Sequence, residues 1–130
     1  MSTVLLAVAG AHLSGQPLNR QLTDRDAELV TTTTTSADYR LYALQTVPPK
    51  PGVVRVASGG AALEVEVWRL TEAAFGSFVA ALPHPMAIGS VSLADGSLVS
   101  GFLVEPLALE TADDITSFGG WRAYLASLPS

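Results

Sequence analysis

The residues best equipped for chemistry sit together in "AGAHLSGQPLN", residues 9–19. His12 is one of two histidines in the chain, and an imidazole titrates close enough to neutrality to move a proton. Gly10 and Gly15 bracket it. Glycine reaches conformations that turn successive N–H groups inward, so Ala11, Leu13 and Ser14 between them could cradle an anion. Ser14, Gln16 and Asn19 add side-chain donors and acceptors. The same residues also fit a plain turn with a hydrogen-bonded histidine.

Other chemistry is sparse. Glu64 and Glu66 alternate on one strand face, where like charges repel. In a pocket one of them would have a raised pKa and act as acid or base, whereas on a solvated face, the commoner place for a carboxylate, neither would. Asp113 and Asp114 suit a helix N-terminus. The sequence contains no G-x-S-x-G, no phosphate-cradling Gly-Lys loop and no G-x-G-x-x-G. His12 and His84 are far apart and there is no cysteine, so neither a metal nor another cofactor is expected. His84, in "LPHPM", reads as a loop residue.

A net charge of -5, with Lys50 the only lysine and six dispersed arginines, argues against nucleic acid. The apolar runs fall short of the roughly 18 residues that a membrane span needs. With no Lys or Arg ahead of "TVLLAV", the N-terminus reads as a first strand rather than a secretory signal. A soluble, cytoplasmic protein is the expectation.

These groups need a scaffold, and 130 residues suit a single domain, 1–130. Residues 3–9 predict a central strand buried on both faces, which would set His12 just beyond its end. Residues 20–29 predict a turn or short helix capped by Thr23 or Asp24. The threonine run at 31–35 and residues 39–44 predict two strands, and the prolines of "QTVPPKPG" predict a rigid loop. Residues 53–57 and 62–70 predict a hairpin around "SGG". A helix capped by Thr71 carries Ala74, Phe75, Phe78, Val79 and Leu82 on one stripe. "ADG" predicts a second hairpin, 88–93 with 98–105. A last helix, entered through Asp113, Asp114 or Ser117, buries Trp121, Tyr124, Leu125 and Leu128. The sum is an α+β domain around a mostly antiparallel sheet or small barrel.

Several ordered stretches carry a resemblance: "GAHLSGQPLN", "YRLYAL" with "VPPKPGVVRV", "EVEVWRL", "FGSFVAALPHPMAIGSVSLADGSLVSGFLVE" and "DDITSFGGWRAYL". Together they resemble the C-terminal domain of allophanate hydrolase over nearly the whole chain. The resemblance implies a γ-glutamyl cyclotransferase-like fold, a small mixed β-barrel with flanking helices. "GAHLSG" stands where cyclotransferases hold substrate on backbone N–H groups. Their catalytic glutamate has no counterpart, because no carboxylate lies between Glu72 and Asp95. Cyclotransferase activity is therefore not expected.

The resemblance further implies a place in urea, allophanate and s-triazine breakdown, beside an amidase-signature domain or partner that this chain does not contain. The implied step is loss of CO2 from N-carboxycarbamate, a small dicarboxylate-like substrate. On that reading His12 delivers the proton, the backbone of residues 13–16 binds one carboxylate, and Lys50 or Arg40 neutralises the other. Tyr39 and Glu66 are orienting candidates. The alternative is a non-catalytic module that binds or organises the amidase, and a homodimer stays open.

Overall fold

The computed structural model describes residues 2–129. Strand β1 (Thr3–Val8) leads into the histidine loop and a single-turn helix α1 (Arg20–Thr23). Then follow β2 (Glu28–Thr34), β3 (Tyr39–Ala43), β4 (Pro51–Arg55), β5 (Glu64–Thr71) and helix α2 (Glu72–Ala80). The hairpin β6 (Met86–Ser92) and β7 (Leu98–Val104) precedes a two-residue strand β8 (Asp113–Asp114) and helix α3 (Trp121–Ser127).

A five-stranded sheet runs β2-β5-β1-β7-β6, and a three-stranded sheet runs β4-β3-β8. β1 is central as expected, antiparallel to β5 and parallel to β7, and its residues from Leu6 to Val8 are buried. α2 begins where the sequence places it, with the Thr71 hydroxyl accepting from the Ala74 N–H at 3.1 Å. Its Phe78 is buried against the sheet core. Among the described residues no helix is long and apolar enough to cross a membrane.

Four expectations need correction. The sheets do not close into a barrel: the two outer strands meet only at one end. There Thr35 bridges Leu93, the Ser36 N–H donates to the Ser92 carbonyl, and the Ala94 N–H donates to that of Thr34. β4 and β5 are not a hairpin. β4 pairs with β3, so the proline-rich loop is the turn of that hairpin, while β5 crosses to lie between β1 and β2. Gly60 makes the crossing possible, because a Cβ there would stand 2.7 Å from the backbone of Asp38 and Tyr39.

Asp113 and Asp114 do not open the last helix. They pair with β3, the Asp114 carboxylate accepts from the Thr116 N–H, and α3 starts only at Trp121. Leu128, beyond that helix, is exposed rather than buried.

Candidate functional site

His12 lies where β1 ends, 7% exposed, in a ring of aromatic and amide neighbours. The Phe102 ring, from β7, stacks on it at 5.0 Å, and Phe78, from α2, meets it edge-on at 5.2 Å. Helix α1 supplies Gln21, whose Oε1 stands 2.8 Å from His12 Nε2. An amide oxygen only accepts, so Nε2 carries the hydrogen and Nδ1 is left with its lone pair. Nδ1 has no hydrogen-bond partner among the described residues, yet no fully buried side-chain nitrogen or oxygen there is unpartnered. Nδ1 therefore opens to solvent, in the cleft that His12 lines.

That cleft has a volume of about 270 Å³ and is mostly apolar, walled by side chains such as Leu18, Val47, Leu82, Met86 and Phe102. Gly10, just beyond β1, and Pro51, the first residue of β4, both line it. Gly10 faces Pro51 so closely that a Cβ would stand 2.1 Å from the proline Cδ. The only ionisable groups among the lining residues are His12 and Lys50. Lys50 is 8% exposed and forms no ion pair or side-chain hydrogen bond among the described residues, so its ammonium, like Nδ1, reaches solvent through the cleft. Burial lowers the Lys50 pKa from its ordinary value. Burial also lowers that of His12, the Gln21 hydrogen bond opposing it and the Lys50 charge adding to it.

The expected anion cradle is otherwise engaged. Three N–H groups of the loop are already bonded: Leu13 to the Gly10 carbonyl, Gln16 to that of Leu13, and Ser14 to Glu66. Gly15 sits exposed at φ +81°, and the Asn19 amide donates to the His12 carbonyl at 2.8 Å, holding the loop rather than the cleft. Of the expected residues, Gly10, Ala11, His12 and Lys50 line the cleft, while Leu13, Ser14, Gly15, Gln16 and Asn19 support it from behind or outside. Tyr39 and Arg40 lie elsewhere. Tyr39 is fully buried, its hydroxyl accepting from the Ser92 N–H, and Arg40 is held by Asp114 and the Gly59 carbonyl. His84 is on the surface beside Glu105.

The loop does hold a carboxylate, that of Glu66. Its side chain is 3% exposed instead of solvated. Oε1 accepts from the Ser14 N–H at 2.8 Å, the Ser14 hydroxyl at 3.0 Å and Trp68 Nε1 at 3.1 Å. Oε2 accepts from Arg122 at 3.1 Å, and the same guanidinium reaches Glu64 and the Ser14 carbonyl. Burial would raise the Glu66 pKa, but the bonds from Ser14, Arg122 and Trp68 overcome it and hold the carboxyl below the usual range. Glu66 ties β5 and α3 to the histidine loop.

The sequence reading missed Gln21, Phe78, Phe102, Trp68 and Arg122 as parts of this assembly. Trp68 alone carried a local signal, since it shares Glu66's face of β5 two residues along. The others arrive from distant elements.

The lowered His12 pKa makes a stability prediction. The unfolded imidazole titrates near 6.5 and the folded one below it, so the unfolded state binds more protons between those values. Stability is therefore expected to fall as pH drops from 7.5 towards 5.5, with His12 contributing at most about 1.4 kcal/mol per pH unit. Denaturant titrations across that window are expected to show a shallower pH slope for His12→Gln than for the wild type.

The chain matches the family model for the allophanate hydrolase C-terminal domain over residues 4–126. It is 41% identical over 132 residues to the urea amidolyase of Saccharomyces cerevisiae, covering 98% of this chain. It spans only 7% of the length of the curated relatives it matches. The structure of Kluyveromyces lactis allophanate hydrolase superposes with a TM-score of 0.92 at 41% identity, over 97% of this chain and 21% of that one. A uropathogenic E. coli-specific protein superposes at 0.91 with 37% identity, covering 99% of this chain and 100% of its own. As fold alone, the likeness extends to an aig2-like protein of Mus musculus, 16% identical, with a TM-score of 0.62 over 84% of both chains. The family match runs from the second residue of β1 into α3, through every element that builds the cleft, and the chain belongs to the allophanate hydrolase C-terminal domain family.

Proposed function

We propose that the cleft binds N-carboxycarbamate, or a closely similar small dicarboxylate, and promotes its decarboxylation within urea and allophanate breakdown. The observation that carries this reading is Lys50. It is only 8% exposed, and its ammonium, without an ion pair or side-chain hydrogen bond among the described residues, meets solvent through the cleft, where a carboxylate would give it a charge-assisted partner. It stands in a cleft with a histidine whose free ring nitrogen faces the same space.

In the reaction the N–C bond to one carboxylate breaks and its carbon leaves as CO2. The bonding pair stays on nitrogen, which takes one proton and leaves as carbamate. Lys50 holds the retained carboxylate, and protonated His12 delivers the proton through Nδ1. The apolar walls favour CO2, which is neutral, over the anion it came from.

The test supplies allophanate to an amidase in the presence of the purified chain and follows CO2 against ammonia. Wild-type chain is expected to accelerate CO2 release without changing ammonia release. His12→Ala is expected to lower the accelerated CO2 step by about a hundredfold, the lower end of what a positioned general acid contributes. Equal CO2 rates with wild type and His12→Ala sink the catalytic role.

A second reading is a non-catalytic part in assembling an amidase. It is favoured by the relatives' lengths: this domain is 21% of the K. lactis allophanate hydrolase chain. It predicts that the chain binds the amidase and leaves the CO2 rate untouched.

A further inference from the structure

We infer that Gln21 is a positioning residue that fixes the His12 tautomer, so that the cleft takes up one proton together with a dicarboxylate. The inference rests on the carboxylate-binding reading above and adds to it where the reaction's proton comes from.

Gln21 Oε1 holds the hydrogen on His12 Nε2, which directs the bare Nδ1 lone pair into the cleft. A carboxylate oxygen offers only lone pairs, and two lone pairs do not bond. A monocarboxylate can satisfy Lys50 and leave the neutral imidazole as it is. A dicarboxylate brings a second negative charge, and among the described residues His12 is the only other ionisable group lining the cleft. Protonating Nδ1 turns a repelling lone pair into a donor and balances that charge.

Among the described residues the surroundings offer no competing partner. The β3–β4 loop presents Lys50, whose positive charge favours the neutral imidazole in the empty cleft. α2 and β7 present Phe78 and Phe102 to the ring. Beyond α1, the Arg25 guanidinium lies over Phe78, 5.7 Å from its centroid, and adds another positive charge on that side. Glu66 meets the loop at Ser14, with its oxygens engaged by Ser14, Trp68 and Arg122. The empty site thus favours neutral His12 and the dianion-filled site favours the charged form. Decarboxylation consumes one proton at nitrogen, and the proton taken up on binding is the one delivered.

Isothermal calorimetry of malonate in two buffers of different ionisation enthalpy tests this on the wild-type chain. Above about pH 7, where both malonate carboxyls are ionised, uptake of about one proton per malonate is expected. Affinity is expected to fall by up to about tenfold per pH unit as pH rises. Acetate is expected to bind with no uptake. In Gln21→Glu a carboxylate beside Nε2 raises the His12 pKa, so uptake at pH 7.5 is expected to drop towards zero and the pH profile to move upwards. Malonate binding without proton uptake overturns the inference and leaves the carboxylate site standing. So does a Gln21→Glu profile identical to the wild type. Failure of malonate to bind at all overturns the carboxylate site, and the inference with it.

Discussion

Replacing Glu66 with alanine is expected to lower the unfolding free energy by about 2–4 kcal/mol, the range for leaving two largely buried donors without an acceptor. The carboxylate accepts four hydrogen bonds, from the Ser14 N–H, the Ser14 hydroxyl, Trp68 Nε1 and Arg122. Alanine leaves the buried Trp68 donor and the loop N–H without partners, each lacking the water that would replace the bond. Arg122 keeps Glu64 and the Ser14 carbonyl, so the guanidinium is not stranded and the loss stays within that range. Denaturant titration at pH 7 reads the effect directly. Its pH dependence has a definite sign. The folded carboxyl has a pKa below the ordinary 4.5, so its stabilisation is present above that value and is lost as pH falls through the folded pKa. The gap between wild type and Glu66→Ala should therefore narrow under acid conditions. A gap below about 1 kcal/mol at pH 7 would mean that the carboxylate does not anchor the loop.

How much of this was legible in the sequence follows from how local each signal is. The β6–β7 hairpin was, because its turn is written in adjacent residues: Asp95 accepts from the Ser97 N–H, and Gly96 takes φ +88°. The cap of α2 and the central place of β1 were legible for the same reason. The partners of β4 and β5 were not. Both strands flank a glycine-rich segment that reads as a hairpin turn, and only the close approach of Gly60 to Asp38 and Tyr39 shows that the chain changes sheets there. Glu66 looked like a solvated carboxylate because its cation, Arg122, lies 56 positions away. The histidine loop does reach the cleft, through Gly10, Ala11 and His12. Its N–H groups were expected to face a ligand, yet Leu13, Ser14 and Gln16 bond to the protein's own Glu66 and loop carbonyls, which leaves His12 and Lys50 as the ionisable groups lining the cleft among the described residues.

Lys50→Met should separate binding from stability by moving them in opposite directions. Methionine keeps much of the apolar stem that fills this position and removes the ammonium. Lys50 is only 8% exposed and its ammonium, which meets solvent through the cleft, has no hydrogen-bond or ion-pair partner among the described residues, so removing this partly desolvated charge is expected to raise the unfolding free energy by about 1 kcal/mol. The pH dependence carries the same sign. Because burial lowers the folded pKa below 10.5, the unfolded state binds more protons as pH approaches that value, and the wild type gains stability on alkalinisation. The methionine variant loses that gain. Malonate binding is expected to weaken by roughly 10- to 100-fold, as befits the loss of one hydrogen bond between charged groups. Thermal melts with and without malonate read both quantities: a higher Tm for the empty variant, and little further rise on adding ligand. If Lys50→Met destabilises the empty protein and leaves malonate affinity intact, the lysine is a packing residue and the cleft recognises its ligand by other means. A more stable variant that no longer binds is the pattern expected of a site that keeps a strained charge for its ligand.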